Sequence, residues 1–177
     1  QLKIVDSLRN HLREDAILVS GVTNIGYWSH LAYSALQPRS YLTSSYFATL
    51  GFAFPAALGA KCAAPDRPVI CFTGDGGFWY HLSELETAAR YGINTVTVVN
   101  NNHSLNQEKH GNERYYQGEQ GNVDELWVFP DTDFAKIAQD MGCFGIRVDQ
   151  PNQIQSAIEE AIASGKPAVV DIIMQPR

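Results

Sequence analysis

Long apolar runs are missing from the 177 residues of this chain, and with them any stretch able to span a bilayer or serve as a signal peptide. There is no basic block either. Lys and Arg number 13 against 19 Asp and Glu, for a net charge of -6. That balance argues against a nucleic-acid partner, which needs clustered cations. Cysteine is scarce: Cys62, Cys71 and Cys143 are odd in number, far apart and set among apolar or small residues. Reduced core thiols are therefore expected, rather than disulfides or metal ligands. His11, His30, His81 and His103 show no zinc spacing. No internal repeat or low-complexity linker is present. What remains is a single soluble domain over 1–177, with a hydrophobic fraction of 45% that suffices for a core. A cytoplasmic location is the default expectation, with neither membrane nor nucleic acid as partner.

The residues that are present alternate between strand and helix signals. Ile17 to Val19, Tyr41 to Thr43, Val69 to Phe72, Thr95 to Val99, Gly145 to Val148 and Ala168 to Ile173 read as strands. Most are apolar throughout, as strands are when helices cover both faces of a parallel sheet. Leu2 to Arg13, Phe52 to Ala64, Phe134 to Met141 and Ile154 to Ala163 read as helices. Another helix is expected from about Phe78, where Phe78, Leu82, Leu85 and Ala89 recur at helical spacing and Gly92 can cap the end. Together these elements predict an α/β fold: a doubly wound, mostly parallel sheet flanked by helices. The segment from His103 to Asp133 is polar, aromatic and weakly periodic, so a long functional or mobile loop is expected there. Trp28, Trp79 and Trp127 are expected to serve packing.

The chemistry concentrates at two strand ends. One ends in Gly74-Asp75-Gly76-Gly77 and the next in Asn100-Asn101-Asn102. In an open parallel sheet, ligands bind beyond the carboxyl ends of the strands. Glycines let backbone N–H groups approach an anion, and a following helix adds a positive end. A carboxylate beside a phosphate needs a cation between them. Mg²⁺ suits, because it takes carboxylate, phosphate and neutral oxygen ligands, and an Asn side chain supplies the last kind. Gly-Asp-Gly alone is more often a turn; its pairing with the asparagines across a strand-helix-strand unit is what points to a site. A doubly wound phosphatase would instead need a second acid close by, as in Asp-x-Asp, and Asp75 has only glycine around it.

Gly74-Asp75-Gly76 followed by Asn101-Asn102, with Asn102 lying 27 positions after Asp75, resembles the cofactor motif of the thiamine-diphosphate-dependent enzymes. The resemblance is to relatives of acetolactate synthase, pyruvate decarboxylase and pyruvate oxidase, and covers nearly the whole chain as their C-terminal diphosphate-binding domain. "YFATLGFAFPAALGAK", Tyr46 to Lys61, is similar to a second segment of that family. The resemblance implies thiamine diphosphate and Mg²⁺ as cofactors. Asp75 and Asn102 would supply side-chain oxygens to the metal and Ser104 a backbone carbonyl. Gly76 and Gly77 would hold the diphosphate through main-chain amides. Leu50 would support the bent cofactor from beneath, and Ala48 would hold its 4′-amino group through a carbonyl, where Gly is commoner in the family. Thr49, Gly74, Leu105 and Asn106 complete the implied cofactor-binding set.

The implied activity is decarboxylation or carboligation of a 2-oxo acid, in the manner of acetolactate synthase. The alternative is a catalytically silent cofactor-binding or assembly module of the same fold. No candidate for the family's activating Glu is found, since Glu84 and Glu86 read as solvated or helix-pairing residues. The resemblance therefore implies no catalytic residue in this chain. It implies a pyrimidine-binding partner domain or subunit that carries that Glu, inactivity without it, and a homo- or hetero-oligomer. Because the chain opens on Gln1 rather than Met, it is expected to be the C-terminal part of a larger enzyme or a separate subunit. Two stretches depart from the family pattern. After the first strand stands Gly21-Val22-Thr23-Asn24, where Thr23 and Asn24 could touch the diphosphate or cap a helix. After the asparagines stands "SLNQEKHGNERYYQGEQGN", Ser104 to Asn122, in which Lys109, His110, Arg114, Tyr115 and Tyr116 could form a lid for an anionic substrate or a solvated loop.

Overall fold

The computed structural model describes residues 2–44, 46–117, 121–122 and 124–174; positions 118–120 of the Ser104–Asn122 stretch lie outside the described residues. The elements run α1 (Leu2–His11), β1 (Ile17–Ser20), α2 (Asn24–Ala32), β2 (Tyr41–Thr43), α3 (Ala53–Ala63), β3 (Val69–Gly74), α4 (Asp75–Trp79) and α5 (Glu84–Tyr91). They continue with β4 (Val96–Asn101), α6 (Asn106–Tyr116), α7 (Asp124–Trp127), α8 (Phe134–Asp140), β5 (Phe144–Val148), α9 (Ile154–Ala163) and β6 (Ala168–Ile173). The six strands form one sheet in the order β2-β1-β3-β4-β6-β5, every neighbouring pair parallel. The doubly wound α/β expectation is met.

Strand alternation explains the two layers of helices. Leu18, Ile70, Phe72, Val98 and Val170 point to one face, where α1, α2 and α9 cover them. Val19, Val69, Cys71, Val99 and Val169 point to the other, beneath α3, α4, α5 and α8. All six residues of β3 are buried, as a central strand covered on both sides requires. Phe78 is fully buried and meets the rings of Phe54 at 5.2 Å and Phe134 at 5.5 Å. Burial of such a ring is worth roughly 1.5–3 kcal/mol and pins the short α4 beneath the sheet's edge.

Several local expectations are corrected. The strand holding the asparagines continues through Asn101, so Asn100 and Asn101 belong to the ladder and only Asn102 follows it. The helix expected from Phe78 starts at Asp75, breaks after Trp79 and resumes at Glu84. Gly92 does close the second piece at φ +61°, where the Ile93 amide donates to the Ala88 carbonyl at 2.9 Å. The expected long loop holds α6 and α7. Neither has a buried residue, so neither shows the apolar period that would have revealed it. Helix α2 was foreseen only as the helix that Thr23 or Asn24 could cap, and Thr23 does stand at its N-cap position. Cys62 is exposed rather than a core thiol, whereas Cys71 and Cys143 are buried. Trp28 and Trp79 keep about two-fifths of their surface exposed, though Trp79 stacks edge-on against Phe134 at 5.3 Å.

Candidate functional site

The sheet order places β1 and β3 side by side with β2 on the far side of β1. The helices leaving β1 and β3 therefore depart to opposite faces, because Ile25 of α2 joins one core cluster and Phe78 of α4 the other. Such a divergence opens a crevice at the carboxyl ends of the strands. A cleft of about 470 Å³, its open mouth included, lies there. Its walls are Val22 to Asn24 and Tyr27 from the β1 side, Leu50 from the loop before α3, Gly74 to Gly77 from the β3 end, and Asn100, Asn102 and Ser104 to Glu108 from the β4 end.

Nine of the eleven sequence-predicted cofactor residues line this cleft: Leu50, Gly74, Asp75, Gly76, Gly77, Asn102, Ser104, Leu105 and Asn106. Ala48 and Thr49 are not among its walls and lie exposed on the loop that leads to Leu50. Ala48 is held at φ +47°, the left-handed region that glycine adopts more easily. Thr23 occupies the N-cap position of α2, yet its side chain makes no capping bond; its hydroxyl lies against Gly74 instead, 2.8 Å from where a Cβ there would stand. The lid candidates divide. Lys109 is tied to Asp124 at 2.5 Å and His110 faces Glu113 at 3.4 Å, while Tyr115 is 80% exposed.

Asp75 sits on the floor of the cleft, 3% exposed. Its Oδ1 accepts from the Gly76 amide at 2.8 Å and its Oδ2 from the Ser104 amide at 3.0 Å. Burial pushes this carboxyl above the usual range, while the amides of Gly76, Ser104 and Asn102 and the His103 ring act the other way. A bound divalent cation would reverse the balance. A Cβ on Gly76 would stand 2.4 Å from Leu105 Cδ2, so any side chain there would have to move the end of Leu105. Among the described residues, no group of three or more His, Cys, Asp or Glu side chains is close enough to hold a metal ion. A cation on the cleft floor would rest on Asp75 and neutral oxygens, a donor set that suits Mg²⁺ alongside a phosphate better than zinc.

Two unpartnered buried atoms belong to the same walls. Among the described residues, Asn100 Oδ1 and Ser104 Oγ have no hydrogen-bond partner although their residues are 3% and 7% exposed. An orphan of this kind costs about 1–3 kcal/mol unless something bound in the cleft satisfies it. Asn100 was absent from the sequence-predicted set. Its signal was an amide where the neighbouring strand residues are Val98 and Val99, inside a buried parallel strand.

The middle asparagine faces away from the cleft walls. Asn101 Nδ2 donates to Asp171 Oδ1 at 3.0 Å and to the Thr132 carbonyl at 3.1 Å. Asp171 is fully buried, and burial holds its carboxyl up at about 6 despite Asn101, the Phe134 amide and Arg147, with Asp133 adding a little in the same direction as burial. The folded protein thus binds this proton more tightly than the unfolded chain, whose carboxyl titrates near 3.8. The stability it contributes is fully present below that value and is lost as pH rises through about 6, by roughly 3 kcal/mol at most. An Asp171→Asn variant is expected to lack this slope in urea unfolding at a series of pH values between about 4 and 7. Parallel stability curves for variant and parent would contradict the assignment.

These features define a class: a doubly wound domain with a cleft at its switch point, suited to a phosphate-bearing ligand and a hard cation. The family model for the C-terminal TPP binding domain of thiamine pyrophosphate enzymes matches residues 21–172. The chain belongs to that family. It is 34% identical over 171 residues to the acetolactate synthase large subunit of Haemophilus influenzae, covering 96% of this chain and 29% of the relative. The corresponding subunit of Corynebacterium glutamicum is 32% identical over 175 residues, covering 97% of this chain and 28% of the relative. A thiamine diphosphate-dependent 4-hydroxybenzoylformate decarboxylase of Rhodococcus jostii RHA1 superimposes with a TM-score of 0.84 at 28% identity, covering 99% of this chain and 32% of that one. The chain thus spans less than a third of the length of the relatives it matches.

Proposed function

We propose that this chain supplies the diphosphate- and Mg²⁺-binding half of a thiamine-diphosphate enzyme that decarboxylates or ligates a 2-oxo acid, as acetolactate synthase does. The observation that carries the reading is Asp75: a buried carboxylate held by two amides in a cleft that also presents Asn102 and Ser104. Asp75 and Asn102 would hold the metal through side-chain oxygens, and Ser104 through its carbonyl. Gly76 and Gly77 leave the main chain bare where a diphosphate would lie. Leu50 stands over the floor, with its Cδ2 3.8 Å from where a Cβ on Gly77 would be. When bound, thiamine diphosphate would supply the carbanion chemistry that 2-oxo acid cleavage needs.

This chain's own part is to bind and orient. The only carboxylates on the cleft walls among the described residues are Asp75, already engaged, and Glu108, which is exposed. Glu84 accepts from Thr87 at 2.8 Å and Glu86 from Arg90 at 2.7 Å on α5, the helix-pairing roles expected of them. The activating acid would then come from a pyrimidine-binding domain or subunit. Tyr46, Phe47 and Tyr80, 90%, 81% and 63% exposed on the segments that lead into and out of the cleft, are the kind of apolar surface such a partner would cover. No helix of the described residues is long and apolar enough to cross a membrane.

The reading is tested by calorimetry with thiamine diphosphate, with and without Mg²⁺: binding heat should appear only with the metal, and metal-independent heat would count against it. Asn100→Leu adds a second check. Removing the orphan acceptor should raise the Tm of the ligand-free protein by about 2–4 °C, for roughly 1 kcal/mol, and weaken cofactor binding. A lower Tm with unchanged affinity would mean that Asn100 is satisfied within the protein.

A further inference from the structure

The turn that carries Asn102 and Ser104 is short and bent. His103 stands at φ +56°, a left-handed conformation that costs a side-chain-bearing residue energy and needs outside support. On the cleft side that support is the Ser104 amide on Asp75, at 3.0 Å. On the opposite side it begins at a carboxylate that is not itself among the residues lining the cleft. Asp171 lies on β6, in register with Val99 of β4 and fully buried. Its Oδ1 accepts from Asn101 Nδ2 at 3.0 Å and its Oδ2 from the Phe134 amide at 3.1 Å.

Asn101 is 1% exposed and spends its whole amide on this arrangement. One Nδ2 hydrogen goes to Asp171 and the other to the Thr132 carbonyl at 3.1 Å, while Oδ1 accepts from the His103 amide at 3.2 Å. Because both donors are committed, the side chain cannot flip. Its oxygen is therefore fixed toward His103, and it holds the turn together with the Phe129 amide, which donates to the His103 carbonyl at 2.7 Å. The geometry points to Asp171 as a positioning residue that sets the cation-binding turn through Asn101. This rests on the cofactor reading above only for its functional consequence. The mechanical claim, that Asp171 locks Asn101 and Asn101 locks the His103–Ser104 turn, stands on the hydrogen bonds alone.

An ionised carboxylate suits this task at position 171, since both groups hydrogen-bonded to it, Asn101 Nδ2 and the Phe134 amide, are donors. An amide there would offer one acceptor and place its own N–H groups against Asn101 or Phe134. Asp171→Asn keeps the volume, so the fold should survive while the lock is lost. Two readouts separate positioning from plain structural support. Hydrogen exchange in the ligand-free protein should quicken about tenfold at the His103 and Ser104 amides in both Asp171→Asn and Asn101→Ala, and stay unchanged in β1. In the intact protein with thiamine diphosphate present, the Mg²⁺ concentration for half-saturation should rise about 10- to 100-fold, the usual effect of losing a partner behind a metal ligand. The double variant should be no worse than Asn101→Ala alone, because the two act in series. Unchanged exchange at His103 and Ser104, or effects that multiply in the double variant, would overturn the proposal. If the parent showed no metal-dependent binding, the cofactor reading would fall, and the exchange result would still decide the lock.

Discussion

Asp75→Ala is expected to abolish Mg²⁺-dependent binding of thiamine diphosphate. The loss should exceed about 100-fold, because removing a partner behind a metal ligand already costs 10- to 100-fold and Asp75 is the one buried carboxylate on the cleft walls among the described residues. The substitution also frees the Ser104 amide, so the two halves of the site lose their direct link. Its proper comparison is Glu86→Ala on α5. Glu86 is half exposed and pairs with Arg90 four residues on, an arrangement worth a few tenths of a kcal/mol. Calorimetry should find the Glu86 variant within about twofold of the parent. Equal losses in both would place the site elsewhere.

Gly26→Ala is expected to have the largest effect on stability near the cleft. Gly26 is the third residue of α2, and a Cβ on it would stand 2.2 Å from the Gly21 carbonyl oxygen and 3.0 Å from Ser20 Oγ. The first of these is backbone of the loop leaving β1, which is itself anchored by the Gly21 amide on the Phe72 carbonyl at 2.8 Å. Helix and loop must separate to admit the methyl group, at a cost of roughly 1–3 kcal/mol, or about 3–10 °C in Tm. Because Thr23, Asn24 and Tyr27 line the cleft from this helix, cofactor affinity should fall as well. Gly59→Ala provides the opposite case. Gly59 lies in α3, a Cβ there would meet nothing within 4 Å, and Ala favours a helix. That variant should gain about 0.5–1 kcal/mol. A Gly26 variant as stable as the Gly59 variant would mean that α2 does not rest on the loop as described.

The strands were legible because a parallel sheet buries both faces, which leaves continuous apolar runs such as Val69 to Phe72. The same rule set the end of the asparagine strand too early, since it reads only apolar residues. Asn100 and Asn101 pair with β6 in full register, and backbone hydrogen bonding is blind to the side chain. Helix α2 was legible only as a possible cap at Thr23 or Asn24, because NIGYWSHLA mixes a glycine with exposed aromatics and buries only Ile25, Gly26 and Ser29. The glycines around Asp75 were legible because close approach of backbone leaves few alternatives. The role of Asn101 was not, because its partner Asp171 stands 70 positions away and no local spacing links them. Asn100 illustrates the remaining difficulty: a polar residue within a strand becomes informative only once its environment is known to be closed.

A crystal structure of the intact protein with thiamine diphosphate and Mg²⁺ tests the central claim most directly. One metal ion should lie about 2.1 Å from a carboxylate oxygen of Asp75, the side-chain oxygen of Asn102 and the Ser104 carbonyl, with diphosphate oxygens and water completing its shell. A metal bound away from Asp75, or a diphosphate seated outside this cleft, would contradict the account.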